Sequence, residues 1–249
     1  MKLIGIDSSG LVASVAIIDE DKLVAEYTIN NKKTHSQTLL PMLEEIVRNA
    51  GLEMETIDAI AIAAGPGSFT GLRIGAATAK GLGLALAKPI VPVSTVDALA
   101  YNLYGADEVI CPIMDARRNQ VYTGVYEFVK ENTGEKDEEA NLPREASLHI
   151  IKEACAVPIE EITEFLNAEG RSVIFLGDGV SVFKEQLKTL MKVPYSFAPA
   201  HLALQKAGCV AGLGMEKFKK GIYEDAAAHS PEYLRLSQAE RERKEAGLL

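Results

Sequence analysis

The sequence predicts an α/β fold, and three observations support this prediction. Three short apolar runs separated by turn-forming residues open the chain, at residues 2–6, 11–18 and 23–29, which indicates an antiparallel meander. Apolar strand segments then alternate with helical patterns up to residue 104, an order typical of a parallel sheet. A glycine-rich loop joins one of these strands to the helix that follows it, as in many α/β proteins.

The elements of the first half follow from local patterns. A helix is predicted up to Ala50 because apolar side chains recur at helical spacing, and Gly51 ends it; these side chains are Leu39, Leu43, Ile46 and Val47. Leu40 widens this stripe beyond what one packing surface needs. The remaining segments are a buried strand at 57–64, a helix from Thr70 to Ala87 capped by Ser68 or Thr70, a strand at 90–93 and a helix at 95–104.

The second half repeats the pattern less clearly. Its predicted elements are a hairpin of strands 109–114 and 121–128, a charged loop at 130–147, a helix at 158–168, a strand at 172–176, helices at 180–191 and 199–220, and a charged tail at 237–249. The two halves meet near Gly105. We therefore expect an N-terminal lobe of residues 1–104 and a C-terminal lobe of residues 105–249 that ends in the charged tail.

Composition excludes several classes of protein. The 249 residues contain 26 Lys and Arg against 35 Asp and Glu, a net charge of −9, which argues against nucleic-acid binding by this chain alone. Three widely spaced cysteines without a CxxC pair disfavour a disulfide framework or a thiolate zinc site. The apolar opening stops at Asp7, and no apolar run approaches the roughly 18 residues of a membrane span. We expect a cytoplasmic protein with no membrane association.

The loop Gly65-Pro66-Gly67-Ser68-Phe69-Thr70-Gly71 is the most distinctive segment. A dinucleotide site is disfavoured because the third glycine comes one position late and Val93-Ser94 replaces the required acidic residue. A Walker A loop is excluded because Leu72 and Arg73 follow Gly71. An anion cradle of backbone N–H groups and a tight turn that needs glycine both remain open.

Small residues recur every four positions in the following helix, at Gly71, Gly75, Ala79 and Gly83. Helix-interior glycine costs about 1 kcal/mol relative to alanine, so something should pack closely on this ridge. The ridge contacts either the chain's own sheet or a partner subunit. The over-wide stripe of the preceding helix favours the partner.

Few residues of the sequence indicate a binding or catalytic site by their type and spacing. Asp7, Asp178 in its Gly-Asp-Gly turn, and the hairpin residues Asp115, Arg117 and Arg118 could contact phosphate, or could only shape turns. The histidines form no HxxxH pair, and no GxSxG motif is present. The sequence therefore predicts neither a catalytic residue nor a metal site.

Five segments together resemble the bacterial TsaB family, also called YeaZ: Ile6–Ser9, His35–Pro41, Gly65–Gly75, Met114–Arg118 and Pro231–Arg235. The resemblance implies an actin-like (ASKHA, ribonuclease H-like) two-lobed fold. It also implies a non-catalytic role in making N6-threonylcarbamoyladenosine (t6A) at position 37 of tRNA. The catalytic relative, TsaD, carries a metal-binding His-x-x-x-His where this chain has Thr95 and Leu99, so the resemblance implies no catalytic metal here.

The resemblance further implies partners. TsaB proteins pair with TsaD through helices equivalent to residues 36–50 and 70–86, an ATPase, TsaE, joins the assembly, and TsaB alone forms a homodimer. tRNA would bind only through the complex, no cofactor is expected, and the partner interface leaves room for a nucleotide. The expected interface residues are His35, Leu39, Leu40, Leu43, Ile46, Val47, Leu72, Arg73, Gly75, Ala76, Ala79 and Gly83. The candidates for phosphate or tRNA contact are Asp7, Asp115, Arg117 and Arg118. The alternative function is an independent actin-like phosphotransferase or a peptidase of the M22 group, a glycoprotease-like label that the family also carries.

Overall fold

The fold has two units, each built on a five-stranded sheet of described residues. The computed structural model describes residues 1–31, 34–130 and 146–235. The first unit comprises Met1–Leu99 together with the chain from Leu204 onward, and the second comprises Ala100–Ala203. In chain order the elements are β1 (Lys2–Asp7), β2 (Ala13–Asp19), β3 (Lys22–Ile29), α1 (His35–Ala50), β4 (Ala59–Gly65), α2 (Phe69–Leu86), β5 (Ile90–Ser94), α3 (Thr95–Tyr101), β6 (Val109–Asp115), β7 (Gln120–Lys130), β8 (Ala146–Pro158), α4 (Ile159–Glu169), β9 (Val173–Leu176), α5 (Gly179–Leu190), β10 (Tyr195–Phe197) and α6 (Ala207–Lys219).

The first sheet joins the predicted meander to a parallel half. Its strand order is β3-β2-β1-β4-β5. The pairs β1–β2 and β2–β3 are antiparallel, whereas β1–β4 and β4–β5 are parallel. This arrangement confirms the α/β class. Gly51 ends α1 in the left-handed conformation (φ 60°), as predicted.

The central strands β1 and β4 are buried on both faces because helices cover each side. Ile4 and Ile62 belong to the core formed with α1 and α2. On the other face, small residues such as Gly5 and Ala61 let α6 approach closely: a Cβ on Gly214 of α6 would lie 2.5 Å from the Ala61 Cβ. Side chains alternate between faces along a strand, so the two helical layers lie on opposite sides of this sheet.

The second sheet has the same plan. Its order is β10-β9-β6-β7-β8, with β6–β7 and β7–β8 antiparallel and β6–β9 and β9–β10 parallel. Its apolar core combines the strands with α4 and α5, and Phe175 is fully buried there. Each unit therefore starts with an antiparallel meander and continues with parallel strands.

Three predictions about organisation need correction. The predicted C-terminal lobe of residues 105–249 is wrong in extent, because the chain returns to the first unit at Leu204 and α6 packs on the first sheet; the first boundary lies at residues 99/100 rather than 104/105. The last helix begins at Ala207 rather than residue 199, and strands β8 and β10 were not predicted. Most of the predicted charged loop (131–145) and the charged tail (237–249) lie outside the described residues. No helix within the described ranges is both long and apolar enough to cross a membrane.

Candidate functional site

The turn after β1 carries a buried carboxylate. Asp7 is 1% exposed, and its Oδ1 accepts hydrogen bonds from the Ser9 backbone N–H (2.9 Å) and the Ser9 hydroxyl (2.6 Å). Burial raises the pKa of Asp7 to about 6, while the Ser9 hydrogen bonds and His35 act to lower it. The His35 ring Nε2 lies 2.9 Å from the Gly10 carbonyl oxygen. Asp7 thus shapes the turn through one oxygen, and Oδ2 has no hydrogen-bond partner among the described residues.

The glycine loop (residues 65–71) packs backbone against backbone on that turn. A Cβ would lie 2.3 Å from the Ser9 carbonyl oxygen at Gly67, and 2.1 Å from the Ser8 carbonyl oxygen at Gly71. The Ser68 backbone N–H donates to the Ser9 carbonyl (2.7 Å), and the Ser68 hydroxyl caps α2 by accepting from the Gly71 N–H (3.3 Å). Close packing therefore accounts for these glycines, and the Ser68 N–H serves the fold rather than an external anion.

The C-terminal strap, residues 224–233, runs along α2 and over the glycine loop. Its Glu224 pairs with Ile90 at one end. Lys80 donates to two strap carbonyl oxygens, those of Ala227 and His229, at 2.9 Å each. At the other end the Tyr233 ring packs on Phe69 with 4.8 Å between centroids. Sequence reasoning assigned no role to this segment, although residues 231–235 formed part of the family resemblance.

The strap also closes the start of the glycine loop. The Glu232 backbone N–H donates to the Ala64 carbonyl (2.8 Å), and a Cβ on Gly65 would lie 2.2 Å from the Glu232 carbonyl oxygen. The Arg73 guanidinium stacks over the Phe69 ring at 4.1 Å and its Nε donates to the Tyr233 hydroxyl at 3.2 Å. Arg73 thus holds the outer end of the strap against α2.

The ridge of small residues on α2 faces inward, which corrects the predicted partner interface. A Cβ on Gly75 would lie 2.4 Å from the Ser8 hydroxyl oxygen, and one on Gly83 would lie 2.7 Å from the Ala226 Cβ. Ala79 is fully buried in the core of the first unit. The other expected interface residues whose side chains this chain itself buries are Leu39, Leu43, Ile46, Leu72 and Ala76. Helices packed on their own sheet cannot offer these atoms to a partner.

The opposite side of the two helices remains exposed. We call it the helix face and define it as Leu40 of α1 with Arg73, Ala77, Gly81 and Leu84 of α2. Leu40 is 53% exposed and Leu84 is 62% exposed. Within the described ranges, a Cβ on Gly81 would meet no atom within 4 Å. Of the predicted interface set, Leu40 and Arg73 lie on this face, whereas His35 and Val47 are half-buried.

The other predicted contact residues lie in the second unit, at the hairpin between β6 and β7. Asp115 accepts from the Arg117 backbone N–H (2.8 Å), and its Oδ2 lies 3.1 Å from the Arg117 guanidinium. Asp178 accepts from the Asp115 backbone N–H at 3.2 Å. Burial, and secondarily the like charge of Asp115, raises the pKa of the Asp178 carboxyl. The hairpin thus brings Asp115, Arg117 and Asp178 together, whereas Asp7 belongs to the first unit.

Backbone conformation at this hairpin is unusual. Arg117, Arg118 and Asn119 have φ values of 63°, 57° and 59°. This left-handed region costs a side-chain-bearing residue roughly 1–2 kcal/mol, and asparagine enters it more readily than arginine. Spacing alone does not reveal such strain, so sequence reasoning missed it.

Thr95 and Leu99, the positions that the sequence resemblance aligned with a metal-binding histidine pair, carry side chains unsuited to metal. Thr95 begins α3 directly after β5, and Leu99 follows one helical turn later; both are buried. Among the described residues, no group of three or more His, Cys, Asp or Glu side chains could hold a metal ion.

Two units with one strand order, each an antiparallel meander followed by parallel strands, define the actin-like (ASKHA) class of the ribonuclease H-like fold. A family model described as "TsaD: tRNA N6-adenosine threonylcarbamoyltransferase" matches residues 22–243. The tRNA threonylcarbamoyladenosine biosynthesis protein TsaB of Bacillus subtilis (strain 168) is 32% identical over 242 residues, which are 96% of each chain. The chain therefore belongs to the TsaB family, within the wider family that the TsaD model describes.

Two further relatives support the assignment to the TsaB family. The TsaB protein of Escherichia coli (strain K12) is 35% identical over 130 residues, 51% of this chain and 55% of that protein. The solved structure of YeaZ from Pseudomonas aeruginosa superposes with a TM-score of 0.74 at 26% identity, covering 94% of this chain and 99% of that one. Both the family and the fold class that the sequence predicted are confirmed.

Proposed function

We propose that this chain is the non-catalytic partner subunit of an assembly that makes N6-threonylcarbamoyladenosine in tRNA, pairing with a TsaD-type catalytic subunit. The observation that carries the proposal is the similarity, over 96% of both chains, to a relative named as a tRNA threonylcarbamoyladenosine biosynthesis protein. The match to the TsaD family model supports the proposal, because this chain and its proposed catalytic partner would then be two subunits of related fold. Neither a phosphotransferase nor an M22 peptidase gains support from any contact described above.

The side chains at the TsaD metal positions favour a catalytic role for the partner rather than for this chain. Threonine is a poor ligand for iron or zinc, and leucine is none. Both side chains pack inside the protein (Thr95 0% and Leu99 1% exposed). In this proposal the TsaD-type subunit transfers the threonylcarbamoyl group, and this chain stabilises that subunit in the active assembly.

The helix face is the surface we assign to that pairing. Leu40 and Leu84 expose apolar side chains that are more than half accessible, and burying each would contribute about 1–2 kcal/mol to association. On the exposed side of α2, Ala77 and Gly81 carry at most a methyl group, so a partner helix can approach the backbone closely. The same face would support self-association of the chain alone, and a TsaE-type ATPase would join the assembled pair. The chain would function in the cytoplasm.

Co-purification with the TsaD-type protein of the same genome tests this proposal. Leu84→Asp should abolish co-elution, because a charge enters an apolar contact. Val182→Asp is the matched control, since Val182 is 56% exposed on α5 in the other unit. Both variants should melt like the unaltered chain. If Leu84→Asp pairs normally, the helix face is not the interface; if the unaltered chain does not pair at all, the proposed function is wrong.

A further inference from the structure

The hairpin between β6 and β7 presents two arginines on a backbone that glycine would form without steric cost. Arg117, Arg118 and Asn119 all have positive φ values. Such a conformation is retained where the surrounding structure fixes it, and it is concentrated at functional sites. The use of arginine at two of the three positions therefore calls for a role of the side chains themselves.

The residues on either side of Arg118 hold the hairpin in place. Arg117 binds Asp115 through both its backbone N–H and its guanidinium. The Asn119 amide donates to Glu160 of α4 (3.1 Å) and accepts from Gln186 of α5 (3.2 Å). Two helices and a strand end thus fix the tip, so that a ligand meets an ordered backbone and little ordering entropy is lost on binding.

Arg118 differs from its neighbours in that its side chain has no partner in the part of the chain that the structure describes. Among the arginines in residues 1–31, 34–130 and 146–235, it is the one for which no hydrogen bond, ion pair or ring contact is found. It is exposed, and Arg117 beside it has 84% of its side chain accessible. The carboxylates of Asp115 and Glu160 balance the charge of the two arginines, and Asp178 adds a third carboxyl, but Asp115 is engaged by Arg117 and Glu160 by Asn119. An exposed guanidinium that has no partner among the described residues and stands on a fixed backbone is suited to an anion from outside the chain.

We propose that Arg118, supported by Arg117, binds a backbone phosphate of the tRNA held by the assembly. This inference rests on the proposed function, which makes tRNA the macromolecule that the complex meets. Guanidinium groups bind phosphate oxygens through paired hydrogen bonds. The tip of a hairpin suits a phosphodiester on the surface of an RNA better than a free small molecule, because small ligands bind in concave pockets. A contact of this kind adds affinity but reads no sequence.

Binding of tRNA by the assembled complex, measured over a series of salt concentrations, tests the proposal. Arg118→Gln should weaken binding roughly three- to ten-fold at low salt. It should also reduce the slope of log affinity against log salt concentration by about 1, the value for one phosphate contact. Arg118→Gly should do the same while relieving the backbone strain, so its melting temperature should be at least that of the unaltered chain. Lys192→Gln is the control, because it removes a positive charge from an exposed residue of the same unit that follows the C-terminal end of α5 and is not part of the hairpin.

The outcomes separate this inference from the proposed function. Unchanged affinity and slope in the Arg118 variants, with pairing intact, overturn the phosphate contact alone. Loss of co-elution with the TsaD-type subunit in these variants also overturns it, because the hairpin then contacts a protein carboxylate. Failure of the unaltered chain to form the complex overturns the proposed function and this inference together. Reduced affinity and slope with normal pairing support it.

Discussion

Replacing Gly71 with alanine tests how closely α2 approaches the turn after β1. The new Cβ would lie 2.1 Å from the Ser8 carbonyl oxygen, so the start of α2 must move outward by about 1 Å to reach ordinary contact distance. Overpacking of this kind costs about 1–3 kcal/mol. The shift also breaks the buried 2.9 Å hydrogen bond from the Ser8 hydroxyl to the Gly71 carbonyl, which costs about 1–3 kcal/mol more. Higher helix propensity offsets up to about 1 kcal/mol.

We therefore expect Gly71→Ala to destabilise the protein by about 1–6 kcal/mol, which corresponds to a fall of roughly 2–24 °C in melting temperature for a chain of this size. Gly81→Ala is the matched control on the same helix, because a Cβ there meets no atom of the described residues within 4 Å. It should stabilise the protein by about 0.5–1 kcal/mol through helix propensity. Thermal melting followed by circular dichroism measures both variants. Equal melting temperatures for Gly71→Ala and the unaltered chain would refute the packing argument.

Three further predictions follow from the same contacts. Gly81→Leu should melt normally but lose pairing with the TsaD-type subunit, because it adds bulk only to the helix face; retained pairing in size-exclusion chromatography would count against that face. Asp7→Asn should stabilise the protein at pH 7.5 by up to about 3 kcal/mol in the free energy of unfolding, seen as a higher melting temperature, and this gain should disappear near pH 4. The pKa of about 6 in the folded protein lies above the usual value for an aspartate of 3.8, so the contribution of native Asp7 is fully present below pH 4 and is lost as the pH rises through 6. A pH-independent difference would contradict this. Tyr233→Ala should cost about 1 kcal/mol through loss of the contact with Phe69 and should speed amide exchange in the strap, and unchanged exchange would show that Tyr233 does not anchor it.

Local patterns predicted those parts of the fold that local physics determines. The meander at the start of the chain follows from apolar runs and turn formers, and Gly51 and Ser68 end and begin helices as their backbone chemistry requires. Long-range pairing is different. The return of α6 to the first sheet depends on the match between Gly214 and Ala61, which are distant in sequence, so no local pattern reveals it.

The helix α2 shows why the candidate site was only partly predictable. It carries two rows of small residues with the same spacing, one through Gly75 and Ala79 and one through Ala77 and Gly81. Periodicity identifies both rows but cannot say which faces the sheet. The first row is the one that Ser8 and Ile62 contact, so the exposed row is the second. Leu40 was predicted correctly as excess apolar surface, because a single helix stripe could not bury it.

Quantifying N6-threonylcarbamoyladenosine in tRNA from cells depleted of this protein tests the central claim most directly. Mass spectrometry of digested tRNA should show loss of the modified nucleoside on depletion. Expression of the unaltered chain should restore it, expression of Leu84→Asp should not, and Val182→Asp should restore it like the unaltered chain. Unchanged modification in depleted cells, with the TsaD-type protein present, would contradict the assignment of this chain to the modifying assembly.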